Sequence, residues 1–224
     1  MKVAEIFTSI NGEGTKTGET AVFIRFQGCN LNCSFCDTKW ANETTCPVTE
    51  MTPQDIYETV VSKNIKNITI TGGEPLIQKE LPALLALLGS NKDLSVEIET
   101  NGSIDIYPFC NIKTAFGNYR PTFTLDYKLP QSGCENKMFI GNYNYLEQND
   151  TIKFVVSNEI DLERSKEIIT EYNLTNKCHI YLSPVFGAIS PQKIVEFMLK
   201  NKLNDIKLQL QLHKIIWDPD MRGV

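Results

Sequence analysis

An α/β fold built on a mainly parallel sheet is what this chain of 224 residues predicts. Two observations carry the prediction. Strand-like runs rich in Val, Ile, Thr and Phe alternate with helix-patterned segments from end to end, and strands separated by helices form parallel sheets with helical crossovers. Polar residues also gather at the ends of several of those runs, where a parallel sheet places its ligand site. An open barrel or a strongly curved sheet is the natural closure.

Each element has its own signal. Ile10-Asn11-Gly12-Glu13-Gly14 reads as a tight turn, and Ala21–Phe26 as a strand running into a cysteine-rich loop. Thr52, with Pro53 at the first helical position and Asp55 three residues on, opens a helix through about Ser62. Asn67–Thr71 is a strand followed at once by Gly72-Gly73-Glu74-Pro75, and a Leu-rich helix ends near Gly89. Leu94–Thr100 is the next strand, stopped by Asn101-Gly102. Strands follow at Thr122–Asp126, Thr151–Val156, His179–Leu182 and Ile206–Leu212. Helices fit Ile160–Tyr172 and a segment begun by Ser190-Pro191 and running to about Lys200. Cys134–Asp150 has little pattern and reads as an excursion over the site.

Composition narrows the class. The chain is 42% apolar and 22% charged, enough for one substantial core, so residues 1–224 read as a single domain. A net charge of −5 without a long basic run excludes the electrostatic footprint of a nucleic-acid binder. The first residues lack the apolar core of a signal peptide, and the Leu81–Leu88 stretch is far too short to span a bilayer. Seven cysteines without disulfide-like regularity imply a reducing compartment, hence the cytoplasm. Cys46, Cys110, Cys134 and Cys178 lack ligand spacing and read as buried or idle thiols.

The chemistry lies in Cys29-x3-Cys33-x2-Cys36. A structural zinc site wants four protein ligands, usually as two separated pairs. A four-iron cluster held by three cysteines keeps one iron open for an outside ligand. Phe35 either packs locally or covers a planar ligand, and the Thr38 hydroxyl faces either its own backbone or a cation. Gly72 and Gly73 permit close backbone approach to a ligand, with the Glu74 carboxylate available to an ammonium group. Glu97 and Glu99 share one strand face. Asn101, Asp126-Tyr127-Lys128 and Ser183 stand at successive strand ends. Arg25, among apolar neighbours, needs an anion, either a substrate carboxylate or Glu5 or Glu97. In the last strand Lys207, Gln209, Gln211 and His213 share one face, which lines a site or meets water.

Together these residues resemble the radical S-adenosylmethionine superfamily: the cysteine spacing with Phe35, and Gly72-Gly73-Glu74-Pro75. Asn11-Gly12-Glu13-Gly14, Arg25-Phe26-Gln27-Gly28-Cys29, Cys36-Asp37-Thr38, Asp126-Tyr127-Lys128 and Gln209-Leu210-Gln211-Leu212-His213-Lys214 are similar to the 7-carboxy-7-deazaguanine synthase family within it. The resemblance implies a shortened, partial barrel of the triosephosphate-isomerase type. It implies a 4Fe-4S cluster on Cys29, Cys33 and Cys36, S-adenosylmethionine, and Mg²⁺ at Thr38. The reaction would use a 5′-deoxyadenosyl radical to convert 6-carboxy-5,6,7,8-tetrahydropterin to 7-carboxy-7-deazaguanine with loss of ammonia, a lyase step in queuosine and 7-deazapurine biosynthesis.

Carried over residue by residue, the resemblance assigns substrate contacts to Ile10, Asn11, Gly12, Glu13, Arg25, Thr71, Gln211 and His213. It assigns S-adenosylmethionine contacts to Phe35, Gly73, Glu74, Glu99, Asn101, Asp126, Tyr127, Lys128 and Ser183. Many relatives carry Gln where this chain has Asn11, and Ser-Pro-Lys where it has Asp126-Tyr127-Lys128. A homodimer and an electron donor such as flavodoxin or ferredoxin are further expectations, as is a tail from Lys214 folded over the pocket. A radical activating enzyme for a protein glycine is the nearest alternative, and a zinc- or cluster-binding scaffold a more distant one.

Overall fold

The computed structural model describes residues 1–224. In chain order the strands and helices are β1 (Lys2–Ile10), β2 (Thr20–Phe26), α1 (Lys39–Asn42), β3 (Thr49–Glu50), α2 (Pro53–Val61), β4 (Asn67–Gly72), α3 (Leu81–Gly89), β5 (Ser95–Thr100), β6 (Ile112–Thr114), β7 (Gly117–Tyr119), β8 (Thr122–Tyr127), β9 (Thr151–Val156), α4 (Glu159–Glu171), β10 (His179–Pro184), α5 (Pro191–Asn201), β11 (Ile206–Leu208) and α6 (His213–Ile216). Nine strands form one sheet in the order β11-β10-β9-β8-β5-β4-β2-β1-β3. Every pair from β2 to β11 is parallel, and β1 joins antiparallel to β2 and to β3. β6 and β7 form a separate hairpin. This is the expected α/β class, with a partial barrel for its architecture.

The register explains why one face of the sheet is a core and the other a site. Side chains alternate along a strand, and in-register neighbours point the same way. Ile24, Ile70, Ile98, Leu125 and Ile152 therefore line the helix-covered face, buried against Leu81, Leu84, Leu85 and Leu88 of α3 and Leu162 of α4. The alternate set is Phe23, Arg25, Thr69, Thr71, Glu97, Glu99, Thr124, Asp126 and Lys153. A parallel sheet with helices on both faces shows near-continuous apolar strands. Here the polar set leaves the concave face without a helical layer.

α2 begins as its sequence dictates: the Thr52 hydroxyl accepts from the Asp55 N–H at 3.2 Å, and the Asp55 carboxylate accepts from the Thr52 N–H at 2.9 Å. Ser190 likewise caps α5.

Two expectations are corrected. The last strand stops at Leu208 rather than Leu212. Beyond it the Gln209 side chain turns into the β1–β2 loop, accepting from the Gly14 N–H at 2.9 Å and donating to the Thr17 hydroxyl at 3.0 Å. The Leu212 N–H then donates to the Gly12 carbonyl at 3.2 Å. These bonds, not a strand ladder, bridge the open ends of the sheet. Cys134–Asp150 does not cover the site. Asn142 within it accepts from the Ile106 N–H and donates to the Ile104 carbonyl, and Tyr143 packs edge-on against Tyr172, so the segment is held against the loop after β5 and against α4.

Candidate active site

At the C-terminal ends of β2, β4, β5, β8 and β9 the concave face opens into a cavity of about 610 Å³. Cys29, Cys33 and Cys36 all line it and are all free thiols. Their loop is anchored on both sides: the Ser34 N–H and hydroxyl donate to the Ser132 and Gln131 carbonyls, and the Gly28 carbonyl accepts from the Glu74 N–H at 2.9 Å. Donors point at the sulfurs. Cys29 Sγ accepts from the Leu31 N–H at 3.4 Å and from Asn101 Nδ2 at 3.5 Å, and Asn42 Nδ2 lies 3.9 Å from Cys36 Sγ. Burial pushes the Cys29 thiol upward and the Cys33 thiol up to about 12, the direction expected of thiols without a bound cation.

Three thiols on one loop fit a 4Fe-4S cluster, because each sulfur takes a different iron and the three need not converge. No three His, Cys, Asp or Glu side chains converge as a cage for one ion, which is what a zinc site would need.

Gly72 and Gly73 have a different first task from the one expected of them. A Cβ on Gly73 would lie 2.1 Å from the Gly28 carbonyl oxygen and 2.3 Å from Asn42 Oδ1, and one on Gly72 would lie 2.5 Å from the Phe26 carbonyl oxygen. The close approach they permit is to the cysteine loop, with Gly73 still facing the cavity. Glu74 is fully buried and lies outside the cavity lining. Its carboxylate accepts from the Thr100 hydroxyl and from the Asn101 and Leu76 N–H groups at 2.7–3.0 Å. Burial lifts its pKa to about 7 against those hydrogen bonds. It is a staple for the loop after β5, not a carboxylate held out to a ligand.

Arg25 takes the structural partner expected of it, Glu5. Its Nε donates to Glu5 Oε1 at 2.7 Å, while the residue lines the cavity with its terminal nitrogens unclaimed. Beside it Phe7 and Phe23 stack at 4.9 Å on the same wall. Ile10, Gly12, Glu13, Thr71, Gln211 and His213 also reach the cavity, as do Phe35, Thr38, Glu99, Asn101, Asp126 and Lys128. Gly12 admits His213 closely, since a Cβ there would sit 2.7 Å from Nδ1. Burial raises the Glu99 pKa to about 7 against the pull of Lys153.

Besides Glu74, three expected contacts do not face the cavity. Tyr127 belongs to the helix-covered face, because strand alternation sends it opposite to Asp126. It packs on Phe154 and donates to Glu135 Oε1 at 3.0 Å. Ser183 is buried on the concave face and reaches the site only through its bond to Glu13 Oε1 at 3.1 Å. Asn11 lies beneath the floor, its Oδ1 accepting from the Thr69 hydroxyl at 2.8 Å and its Nδ2 without a partner.

Sequence reasoning missed Lys153, Asn42 and Trp40, all on the cavity wall. Lys153 had a detectable signal: it is the one charged side chain inside a strand of otherwise apolar and hydroxyl residues. The tail from Lys214 does cross the mouth. Lys214 pairs with Asp37 at 3.3 Å, Arg222 lies 4.2 Å over the Trp40 ring, and Pro219–Val224 line the cavity.

A three-thiol loop at the mouth of a curved parallel sheet defines a radical S-adenosylmethionine protein, and the sequence profile of the radical SAM superfamily matches residues 23–113. At the level of the whole chain, 7-carboxy-7-deazaguanine synthase from Clostridium acetobutylicum is 55% identical over 223 residues, covering 100% of this chain and 99% of that protein. The protein of the same name from Chlorobaculum tepidum is 34% identical, covering 100% and 97%. The crystal structure of QueE from Escherichia coli superposes with a TM-score of 0.71 at 25% identity, covering 94% of this chain and 93% of that one. The chain belongs to the 7-carboxy-7-deazaguanine synthase family.

Proposed function

We propose that this chain is a carbon–nitrogen lyase that converts 6-carboxy-5,6,7,8-tetrahydropterin to 7-carboxy-7-deazaguanine with release of ammonia, in queuosine and 7-deazapurine biosynthesis. One observation carries the reading: three cluster-type thiols and an arginine with open guanidinium nitrogens face the same cavity, in a chain 55% identical along its length to a 7-carboxy-7-deazaguanine synthase. The 4Fe-4S cluster and S-adenosylmethionine supply one-electron chemistry and a 5′-deoxyadenosyl radical when bound.

The chain's own residues bind and orient. Cys29, Cys33 and Cys36 hold the cluster. Phe35, Gly73, Asn101, Asp126, Lys128 and Glu99 surround S-adenosylmethionine. Arg25 takes the pterin carboxylate with its two terminal nitrogens, the fork geometry that suits a carboxylate. Ile10, Gly12, Glu13, Thr71, Gln211 and His213 wall the pterin ring, Ser183 and Asn11 support that wall from behind, and Glu74 and Tyr127 hold the loop after β5 and the end of β8 on the S-adenosylmethionine side. The tail from Lys214 excludes water from the mouth.

A Mg²⁺ ion at Thr38 belongs to the proposal. Thr38 faces the cavity, and its hydroxyl has only the Cys36 sulfur nearby, at 3.7 Å. A hard cation wants about six oxygens, so the substrate and water complete its shell. We also assign residues 1–224 to one domain acting as a cytoplasmic homodimer, with flavodoxin or ferredoxin as electron donor. A single buried cluster running from Val3 to Ile206 supports the one-domain assignment, and no helix is long and apolar enough to cross a membrane.

The test is an anaerobic assay of reconstituted protein with dithionite, S-adenosylmethionine, Mg²⁺ and 6-carboxytetrahydropterin, read by mass spectrometry. 7-Carboxy-7-deazaguanine is the expected product. Cleavage to 5′-deoxyadenosine without it would point to another substrate, such as a protein glycine.

A further inference from the structure

Lys153 sits in the middle of β9, with parallel strands on both sides, and is 8% exposed. Its ammonium lies 3.1 Å from Glu13 Oε2 and 3.2 Å from Asp126 Oδ1. Those carboxylates come from different parts of the site. Glu13 rides on the β1–β2 loop with Gly12, just past Ile10 at the end of β1, and Asp126 is the penultimate residue of β8, which leads to Lys128. Each is tied back on its other oxygen, Glu13 to the Ser183 hydroxyl at 3.1 Å and Asp126 to Lys128 Nζ at 2.8 Å. A continuous chain Ser183–Glu13–Lys153–Asp126–Lys128 thus crosses the floor of the cavity.

Stability does not explain this arrangement. A buried ion pair is often no better than well-packed apolar side chains of similar volume. Electrostatic attraction of ligand does not explain it either, because two carboxylates balance two ammonium groups. What the chain does provide is a fixed distance between the loop and the strand end. Burial by itself would pull the Lys153 pKa down, yet Asp126 and Glu13 hold it well above the ordinary lysine value, so the link stays charged. The ammonium has three donors, one of them spent on Glu13 Oε2, while its contact with Asp126 Oδ1 is an ion pair outside hydrogen-bond geometry, and the residue lines the cavity.

We propose that Lys153 is a positioning residue that couples the two half-sites, so that the pterin and S-adenosylmethionine each tighten the binding of the other. The inference rests on the function proposed above, which puts the pterin against the β1–β2 loop and S-adenosylmethionine against Asp126 and Lys128. A ligand that orders the loop orders Glu13, and through Lys153 the strand end. Such coupling is reciprocal by thermodynamic necessity.

Equilibrium binding to the reconstituted, unreduced holoprotein tests it without turnover. In the wild type, 6-carboxytetrahydropterin should tighten S-adenosylmethionine about tenfold, and the reverse effect should be equal. In Lys153→Met each ligand should still bind alone while the coupling falls below about twofold, and Lys153→Arg should restore part of it. Should Lys153→Met not fold, the double variant Glu13→Gln/Lys153→Met removes opposite charges together and leaves Asp126 paired with Lys128; the same loss of coupling is expected. Wild-type coupling in whichever of these two variants folds overturns the proposal, as does a wild type that binds both ligands independently. A wild type that binds no carboxypterin, or binds it without forming product in the anaerobic assay, instead sinks the function reading.

Discussion

Asn101 donates its side-chain amide to Cys29 Sγ at 3.5 Å, and that amide is clamped from behind by the Ser103 N–H and hydroxyl, which donate to its Oδ1 at 3.0 and 2.6 Å. A donor aimed at a cluster sulfur favours the more electron-rich reduced state. Asn101→Ala should therefore lower the cluster's midpoint potential. A bond worth about 1 kcal/mol corresponds to about 40 mV for one electron. Potentiometric titration followed by electron paramagnetic resonance, without S-adenosylmethionine, reads this directly. An unchanged potential removes Asn101 from that role.

Gly73→Ala should cost cluster occupancy as well as stability. The new Cβ would lie 2.1 Å from a backbone oxygen, and backbone cannot swing aside as a side chain can. The Gly28–Cys29 corner has to move, at a cost of about 2 kcal/mol or more. Lower iron content after reconstitution, with a lower Tm, is the expected result. Wild-type iron and Tm together would mean that the loop relaxes freely.

Arg25→Ala should spare uncoupled cleavage of S-adenosylmethionine and depress turnover of the carboxypterin. Hydrogen bonds to charged groups contribute about 1.5–3 kcal/mol, so kcat/KM should fall by roughly 10- to 150-fold. Arg25→Lys, which loses the fork, should recover little. Comparing 5′-deoxyadenosine and 7-carboxy-7-deazaguanine yields checks this, and full turnover in Arg25→Ala would end the assignment.

Thr38→Ala should abolish the stimulation of turnover by Mg²⁺ while leaving iron content unchanged. Titrating Mg²⁺ against rate in both proteins decides the matter, and an identical response would rule Thr38 out as a ligand.

Glu99 makes stability depend on pH in a defined direction. Its pKa is raised in the folded protein to about 7, from 4.5, first because it is buried. The folded state therefore holds a proton that the unfolded state releases, and the Glu99 contribution to stability is fully present below about pH 4.5 and lost as pH rises through 7. Glu99→Gln should remove this loss, gaining on the wild type between pH 5 and 8 by about 3 kcal/mol at most, less because the carboxyl opens onto the cavity. Denaturant unfolding at several pH values measures it. A constant difference across that range would contradict the shift.

The sequence was most legible where local chemistry decides structure. Thr52-Pro53-x-Asp55 specifies its own helix start, and the Leu-rich α3 and the apolar cores of β4, β5, β8 and β9 follow from periodicity alone. The three thiols were readable because few other roles fit their spacing, and Arg25 because a charge among apolar neighbours needs an anion, which Glu5 supplies. Legibility failed where a residue's meaning comes from distant partners. Glu74 looks like a ligand-facing carboxylate until Thr100 and Asn101 claim both its oxygens. Gln209 continues an alternating strand in sequence, yet leaves it for a loop 195 residues earlier. Lys153 bears no motif, and its importance depends on Glu13, 140 positions away. β1 was not foreseen, because only Val3 along it is buried and its signal is correspondingly weak.

The bonds from Gln209 and Leu212 to the β1–β2 loop also set an order of assembly. The cysteine loop and its support at Gly73 lie in the first third of the chain, but the wall facing them is held by residues near the other end. A nascent chain released only as far as β10 would hold all three thiols in an open trough, with the substrate loop tied through Glu13 and Asn11 but not yet closed over by Gln209 and Leu212. Contacts of such long sequence separation form late, after their loop-closure entropy has been met. The metal-binding end of the pocket can thus be complete while its substrate end still lacks the two bonds that close it, so the last residues to emerge decide whether the pocket is a trough or an enclosure.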